Sequence, residues 1–194
     1  MNRAVDVALA GGTLLLASPL LALAAVAVKL EDGGPVLYRQ TRVGKDGGDF
    51  ELLKLRTMVV GAETMGAGLA VNRGDTRITR SGRLLRRLSL DEFPQLWNVV
   101  RGEMSVIGPR PTLRYQVEQY DERQRHRLDV KPGITGWAQV NGRAALPWAE
   151  RIELDVWYVE HRSPRLDLQI LARTPSALFR GTYKGETGGW KPAP

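Results

Sequence analysis

The stretch Val7–Val28 reads VALAGGTLLLASPLLALAAVAV, 22 residues without a charged side chain. As a straight helix it would be about 33 Å long, close to the thickness of the hydrocarbon core of a bilayer. The surface helix of a soluble protein would carry a charged face, and this stretch carries none. The stretch therefore predicts a membrane-embedded helix at the start of the chain.

Two other interpretations of this stretch compete with a membrane helix. A secretory signal peptide is suggested by Arg3 before the apolar run and by Ala22-Leu23-Ala24, which resembles a cleavage site. Against a signal peptide, Asp6 neutralises the basic flank, and the run is longer than the apolar region of such peptides. The buried core helix of a soluble protein is the second alternative, and the membrane interpretation is preferred to both.

Ser18-Pro19 lies at the centre of the apolar stretch. Proline removes one backbone hydrogen bond and its ring clashes with the carbonyl of Leu15, whereas the serine hydroxyl can bond a nearby carbonyl within lipid. The helix could therefore span the membrane with a kink, or enter and return to the same side. Arg3 and Lys29 flank both ends, so the distribution of positive charge leaves these two arrangements open.

The composition points to an anionic partner. The chain has 194 residues with 28 Lys+Arg against 21 Asp+Glu, a formal net charge of +7. Nucleic acid, an anionic membrane and a phosphorylated substrate would all satisfy this charge. The absence of cysteine excludes disulfides, thiolate zinc sites, iron–sulfur clusters and cysteine nucleophiles, and two histidines are too few for a histidine-rich metal site.

The remainder of the chain predicts one small domain built mainly of helices. Apolar spacing, turn signals and caps predict these elements: strands over 36–38 and 50–55, and helices over 81–88, 94–100, 112–128, 147–161 and 166–179. Residues 61–75 are glycine-rich and predict a loop. We therefore expect an α+β fold, mostly helical, with a membrane helix over 1–30 and one small soluble domain over 31–194.

Arginines recur every three residues at 77, 80, 83 and 86, which would form one stripe on a helix. Such a stripe can be a solvated basic face, a lipid contact or a phosphate clamp, because guanidinium groups match phosphate oxygens in bidentate geometry. Binding of single-stranded nucleic acid would call for interleaved aromatic residues, which this stretch lacks. We therefore expect no nucleic-acid partner.

Asp91 and Glu92 follow this basic stretch and precede Pro94. Adjacent carboxylates before proline are an ordinary helix start, with Asp91 as the N-cap. Among phosphate-binding cations, however, one carboxylate can attack phosphorus to give an acyl phosphate, and its neighbour can hold Mg²⁺. The residues themselves leave both interpretations open.

Five strings now occur in a fixed order: QTRVG at 40–44, KLRTM at 54–58, DEFPQLWNV at 91–99, MSVIGPRP at 104–111 and KPGITGW at 131–137. Together they resemble the bacterial sugar transferase family, the monotopic polyprenyl-phosphate phosphoglycosyl transferases. The resemblance covers roughly the whole chain, in a minimal form without additional N-terminal membrane helices. As an ordered set, the strings are far more specific than any single motif.

The resemblance implies roles for individual residues. Asp91 matches the family's nucleophile, and Glu92 would assist it; both are expected ligands of Mg²⁺. The family's phosphate-binding positions fall on basic side chains here, namely Lys54, Arg110, Arg86 and Arg143. Ser18 and Pro19 match the break in the family's re-entrant helix, which favours the arrangement that returns to the side it entered.

The implied reaction transfers a phosphosugar from a UDP-sugar to undecaprenyl phosphate through a covalent aspartyl intermediate and releases UMP. It would be the first membrane step in assembling a glycoconjugate, either a polysaccharide or a protein-linked glycan. The resemblance places the catalytic domain on the cytoplasmic face of the bacterial inner membrane, in contact with its lipids. A membrane-bound phosphohydrolase using the same carboxylates and a non-enzymatic basic membrane adaptor remain as alternatives.

Overall fold

The computed structural model describes residues 2–66, 71, 74–142 and 145–179. Its first element is a long helix, α1 (Arg3–Asp32), whose first turn is capped by the side chain of Asn2. The helix ends at Gly33, where a left-handed backbone (φ +71°) lets the glycine N–H bond the carbonyl of Lys29. The predicted apolar helix is therefore present and has 30 residues.

Helix α1 continues through Pro19. Proline has no N–H to donate to the carbonyl of Leu15, and the hydroxyl of Ser18 donates to that oxygen instead, at 2.8 Å. The Ser18-Pro19 pair therefore removes one backbone hydrogen bond from α1 without dividing it into two helices.

Two small sheets follow α1. Strands β1 (Leu37–Val43) and β2 (Asp49–Leu55) form an antiparallel hairpin in which Leu37 is opposite Leu55. Strands β3 (Ser105–Ile107) and β4 (Gly133–Thr135) pair in parallel. The hairpin was predicted, although β1 is longer than expected, whereas the parallel pair was not predicted.

The remaining helices are short until the end of the described chain. In chain order they are α2 (Arg80–Arg87), α3 (Gln95–Arg101), α4 (Arg114–Val117), α5 (Glu122–Arg125), α6 (Trp137–Val140), α7 (Trp148–Glu160) and α8 (Pro164–Phe179). The fold is thus α+β, mostly helical with few short strands, as predicted.

The predicted amphipathic helix over 112–128 is wrong. This segment instead contains α4, α5 and a 3-10 turn at His126–Leu128. The side chain of Asp121 accepts a hydrogen bond from the N–H of Gln124 and so starts a new helix, which ends the previous one. The apolar residues that predicted one helix all precede Asp121, and the charged residues after it showed no break in the pattern.

Only part of the arginine repeat lies on a helix. Helix α2 begins at Arg80 and is capped by Thr79, so Arg77 lies outside it. Arg77 is buried and forms an ion pair of 2.6 Å with Asp75. Arg86, in contrast, is directed into the protein and donates to the hydroxyl of Thr57.

Both halves of α1 pack on the same domain. In the first half, Ala10 lies in a cluster with Leu52, Val99 and Met104. In the second half, α1 contributes two side chains to another cluster, which contains these buried residues: Ala24, Val28, Leu55, Leu85 and Leu90. The helix therefore lies against the domain before and after its central proline.

The opposite face of α1 is apolar and exposed. Leu15, Leu16, Leu23 and Leu30 are 75%, 84%, 69% and 81% exposed. The helix is long and apolar enough to cross a membrane by length and composition, and only 11% of its most apolar 18-residue window is buried. This burial is far too low for the core helix of a soluble protein, which removes that alternative.

Candidate active site

A cavity of about 820 Å³ lies between the β1–β2 hairpin, the turn that follows α2 and the first half of α7. Asp91 and Glu92 line it from a single 3-10 turn, Leu90–Glu92. Ser89, which precedes this turn, has a left-handed backbone (φ +56°) that is unfavourable for a residue other than glycine. Such strain is concentrated at functional sites.

The structure does not support Asp91 as an ordinary helix cap. Helix α3 starts after Pro94 with no side-chain cap, and the carboxylate of Asp91 receives no hydrogen bond from the described residues. The carboxylate is thus available to the cavity.

Glu92 is held by two cations. Lys54 of β2 lies 3.0 Å from Glu92 Oε1, and Arg110 lies 2.5 Å from the same oxygen and 3.4 Å from Oε2. Burial on its own would raise the pKa of Glu92, but the charges of Arg110 and Lys54 outweigh it and hold that pKa well below its usual value. Glu92 is therefore an ionised anchor that fixes both cations.

Asp91 has the opposite environment. Burial raises the pKa of this carboxyl group above its ordinary value, and the neighbouring charge of Glu92 raises it further. Lys54, Arg86 and Arg110 act in the other direction through their charges. A carboxylate that is poorly solvated and makes no hydrogen bond to the described residues is a better nucleophile than an ion-paired one.

The other predicted site residues divide into three groups. Arg86 is half-buried, lines the cavity and donates to Thr57 Oγ1 at 2.7 Å. Arg143 lies outside the described residues. Ser18 and Pro19 are exposed on α1 and do not line the cavity. The cavity therefore contains Asp91, Glu92 and three predicted phosphate ligands: Lys54, Arg86 and Arg110.

Arg110 is positioned by a crossing of backbones that only glycine permits. A Cβ atom on Gly108 would lie 2.4 Å from the carbonyl oxygen of Lys131, and one on Gly133 would lie 2.0 Å from the nitrogen of Gly108. A Cβ on Gly136 would lie 2.2 Å from the carbonyl oxygen of Gly108. These close contacts let β3 and β4 pair just before the Gly108–Pro111 turn that carries Arg110.

Sequence reasoning missed several charged residues of the cavity, four of which lie near Arg110. Arg42 and Arg151 line it from β1 and α7, and Arg127 and Asp155 form a buried ion pair of 2.5 Å in its wall. Arg42 belongs to the QTRVG string that helped to identify the family, but the resemblance assigned no function to this residue. For the other three residues, the sequence offered no signal beyond their charge.

Asp91 also fits a magnesium ion better than Glu92 does. Mg²⁺ prefers oxygen ligands and is commonly held by one or two carboxylates together with substrate phosphates. The oxygens of Glu92 are engaged by Lys54 and Arg110, whereas Asp91 has none engaged by the described residues. Within the described ranges no group of three or more His, Cys, Asp or Glu could hold a metal. Substrate oxygens would therefore have to complete the ion's coordination.

Residues 1–181 match the family model described as bacterial sugar transferase. The chain is 44% identical over 174 residues to the uncharacterised sugar transferase EpsL of Bacillus subtilis, covering 90% of this chain and 85% of EpsL. It is 45% identical over 186 residues to the UDP-glucose:undecaprenyl-phosphate glucose-1-phosphate transferase of Caulobacter vibrioides, covering 92% and 69%. It is also 42% identical over 187 residues to the UDP-N-acetylgalactosamine-undecaprenyl-phosphate N-acetylgalactosaminephosphotransferase of Aeromonas hydrophila, covering 93% and 44%.

Proposed function

The chain belongs to the bacterial sugar transferase family, as its motifs predicted, and on that premise we propose that Asp91 carries a phosphosugar from a UDP-sugar to undecaprenyl phosphate. It is a polyprenyl-phosphate phosphoglycosyl transferase. Relatives named for glucose and for N-acetylgalactosamine are similarly close, so we leave the sugar open.

The observation that carries this proposal is the contrast between the two carboxylates. Glu92 is paired with Lys54 and Arg110, whereas Asp91 lines the same cavity without a hydrogen bond from the described residues. One carboxylate thus organises the cations and the other is left to react. This difference between the two carboxylates supports covalent chemistry at Asp91.

In the first half-reaction an oxygen of Asp91 attacks the sugar-linked phosphorus of the UDP-sugar. The bond between that phosphorus and the bridging oxygen breaks, and UMP leaves with the bonding electrons. In the second half-reaction an oxygen of undecaprenyl phosphate attacks the same phosphorus and displaces the Asp91 carboxylate. The product is a polyprenyl diphosphosugar, and Asp91 is regenerated.

Lys54 and Arg110 stabilise the charge on the phosphoryl oxygens in both steps. Phosphoryl transfer is accelerated mainly by positioning and by electrostatic stabilisation, so pre-arranged cations are the chief requirement. Glu92 holds them at 3.0 Å and 2.5 Å before substrate arrives. Mg²⁺, held by Asp91 and substrate oxygens with Glu92 nearby, would neutralise further phosphate charge.

The membrane arrangement that fits this chemistry is a re-entrant α1. A helix spanning the bilayer would carry its two ends to opposite sides, whereas here both ends are bonded to one domain. Arg3 donates to the carbonyls of Val99 and Val100 at the N-terminal end. Asp32 pairs with Arg56 at 2.5 Å at the other end. The domain would lie on the cytoplasmic face, where the nucleotide sugar is available.

The test of the reaction is to trap the intermediate. The purified protein is incubated with a sugar-labelled UDP-sugar without lipid acceptor, denatured, and counted for bound label while UMP is measured. We expect about one UMP and one label per active molecule, and chase of the label into lipid when undecaprenyl phosphate is added. A panel of UDP-sugars in this assay identifies the sugar.

The matched variants are Asp91→Asn and Asp46→Asn, since Asp46 is an exposed aspartate that does not line the cavity. We expect no label on the first and full labelling of the second. Substantial UMP release by Asp91→Asn would contradict the assignment of the nucleophile. Release of free sugar phosphate without an acceptor would favour a phosphohydrolase, and no UMP with any sugar would favour the membrane adaptor.

The topology is tested with single cysteines, which are unambiguous because the chain has none of its own. Asn2→Cys and Asp46→Cys, at the start of α1 and in the domain, are labelled with an impermeant maleimide in intact cells and in inverted vesicles. We expect both to react only in inverted vesicles. Labelling of the two positions from opposite sides would show that α1 spans the membrane.

A further inference from the structure

Two arginines of the cavity, Arg42 and Arg151, have no described carboxylate within ion-pair distance. Lys54 and Arg110 share Glu92, and Arg127 pairs with Asp155. Arg42, in contrast, donates only to neutral oxygens, those of Gln40 and Pro111. Arg151 likewise donates through Nε to the carbonyl of Leu146 at 2.9 Å.

Arg42 and Arg151 both lie near Arg110, whose charge acts on each of them. The bond from Arg42 to the carbonyl of Pro111 (3.3 Å) places it at the residue next to Arg110. Arg127 donates to the carbonyl of Arg110 at 3.0 Å and to Asp155 at 2.5 Å. Arg151 precedes Asp155 by one turn of α7, so it lies on the same face of the helix.

Both guanidinium groups are half-buried and fixed before any ligand binds. The amide oxygen of Gln40 accepts from two nitrogens of Arg42, at 3.0 Å and 2.5 Å. Arg151 lies 5.6 Å from the centre of the Trp148 ring. Burial, and then the charge of Arg110, lower the pKa of Arg42 to about 10 and also lower that of Arg151. An anion bound beside Arg110 would offset the repulsion that Arg110 exerts on both groups.

We propose that Arg42 and Arg151 form a second phosphate subsite, which holds the departing nucleotide phosphate and then the incoming lipid phosphate. The proposal rests on the proposed function. In-line displacement places the attacking and leaving oxygens on opposite sides of the phosphorus. Asp91 occupies one side in both half-reactions, as nucleophile and then as leaving group. The phosphate of UMP and that of undecaprenyl phosphate must therefore occupy the same position in turn.

The experiment isolates the two uses of the subsite. The sugar-labelled intermediate is formed, freed of UMP, and chased either with UMP or with undecaprenyl phosphate. For Arg42→Gln and Arg151→Gln we expect the acceptor concentration that gives half-maximal chase to rise about 10- to 100-fold, by the same factor for UMP and for undecaprenyl phosphate. This rise corresponds to the loss of one charge-assisted hydrogen bond. Arg125→Gln, an exposed arginine outside the cavity, makes the same charge change and should leave both chases unaltered.

Three results would overturn the shared subsite. A change in the UMP chase alone would make the pair a nucleotide site, and a change in the lipid chase alone would make it a lipid site. Equal chases in variant and wild type would remove the subsite altogether. Arg42→Lys and Arg151→Lys retain the positive charge and are expected to recover part of the lost affinity. Thermal unfolding of each variant checks that it is folded.

A separate measurement distinguishes failure of this proposal from failure of the proposed function. If the wild type forms no intermediate, the covalent mechanism is wrong, and binding of UMP and of inorganic phosphate is measured directly by calorimetry. Weaker binding of both ligands by the glutamine variants would still support the subsite, and unchanged binding would overturn it.

Discussion

Replacing Asp6 by alanine should release the first turns of α1 from the domain. Asp6 is 4% exposed, and its carboxylate accepts from Ser105 Oγ at 2.9 Å and from the N–H of Val106 at 2.8 Å. A hydrogen bond to a charged group contributes about 1.5–3 kcal/mol, and two donors lose their acceptor in Asp6→Ala. Allowing for water that enters the vacated space, the variant should lose about 3 kcal/mol of unfolding free energy.

This loss is measurable by thermal unfolding in detergent micelles. For a chain of this length, 1 kcal/mol shifts Tm by about 2–4 °C, so Asp6→Ala should unfold about 6–12 °C below the wild type. Hydrogen exchange of the peptide containing Val106 should accelerate at the same time. Asp6→Asn keeps one carbonyl oxygen as an acceptor and should lose about half as much. A Tm within about 1 °C of the wild type, with unchanged exchange, would refute the reasoning.

Three further predictions concern the glycine crossing, the nucleophile and the central proline. Gly136→Ala should lower Tm by about 5 °C or more, because its Cβ would lie 2.2 Å from the backbone oxygen of Gly108; an unchanged Tm would contradict this contact. Asp91→Asn should raise the unfolding free energy at pH 7 by about 1 kcal/mol, since burial and Glu92 raise the pKa of Asp91 in the folded state. The Asp91 carboxyl group binds a proton more readily in the folded wild type than in the unfolded chain. The difference in unfolding free energy between variant and wild type, measured by denaturant titration, should therefore shrink as pH falls through the raised pKa of Asp91. A difference that grows as pH falls would contradict this reasoning. Pro19→Ala should leave both ends of α1 reactive from the same side in the maleimide assay, because contacts with the domain hold both ends. Labelling from opposite sides would show that Pro19 is what makes the helix return to the side it entered.

The sequence predicted the long apolar helix, the hairpin and the last two helices because each shows a regular spacing of apolar residues, or a continuous apolar stretch, over many positions. Strands β3 and β4 have three residues each and are too short to show an alternating pattern. Their pairing depends on contacts between glycine residues about 25 positions apart. Such contacts leave no local signal, so the crossing that positions Arg110 was visible only in the structure.

The candidate site was predicted in part. The resemblance named the two carboxylates and Lys54, Arg86 and Arg110, which line one cavity in the structure. It did not show that Glu92 is engaged and Asp91 free, because adjacent carboxylates look alike in sequence and differ only in which cations reach them. The sequence indicates Asp6 only as a charge on the flank of the apolar run, whereas in the structure it is buried and accepts a hydrogen bond from β3.

The site is built directly on helix α1. Leu55 and Leu90 pack with Ala24 and Val28 of α1, and each is adjacent in sequence to a site residue. Lys54 precedes Leu55, and Asp91 follows Leu90. The side chains that would act on phosphorus are therefore one residue away from contacts with the helix whose opposite face is apolar and exposed. If α1 lies in the membrane, this packing fixes the depth of Asp91 relative to the bilayer surface. A lipid phosphate can then reach it without leaving the interface, while the nucleotide enters the same cavity from water.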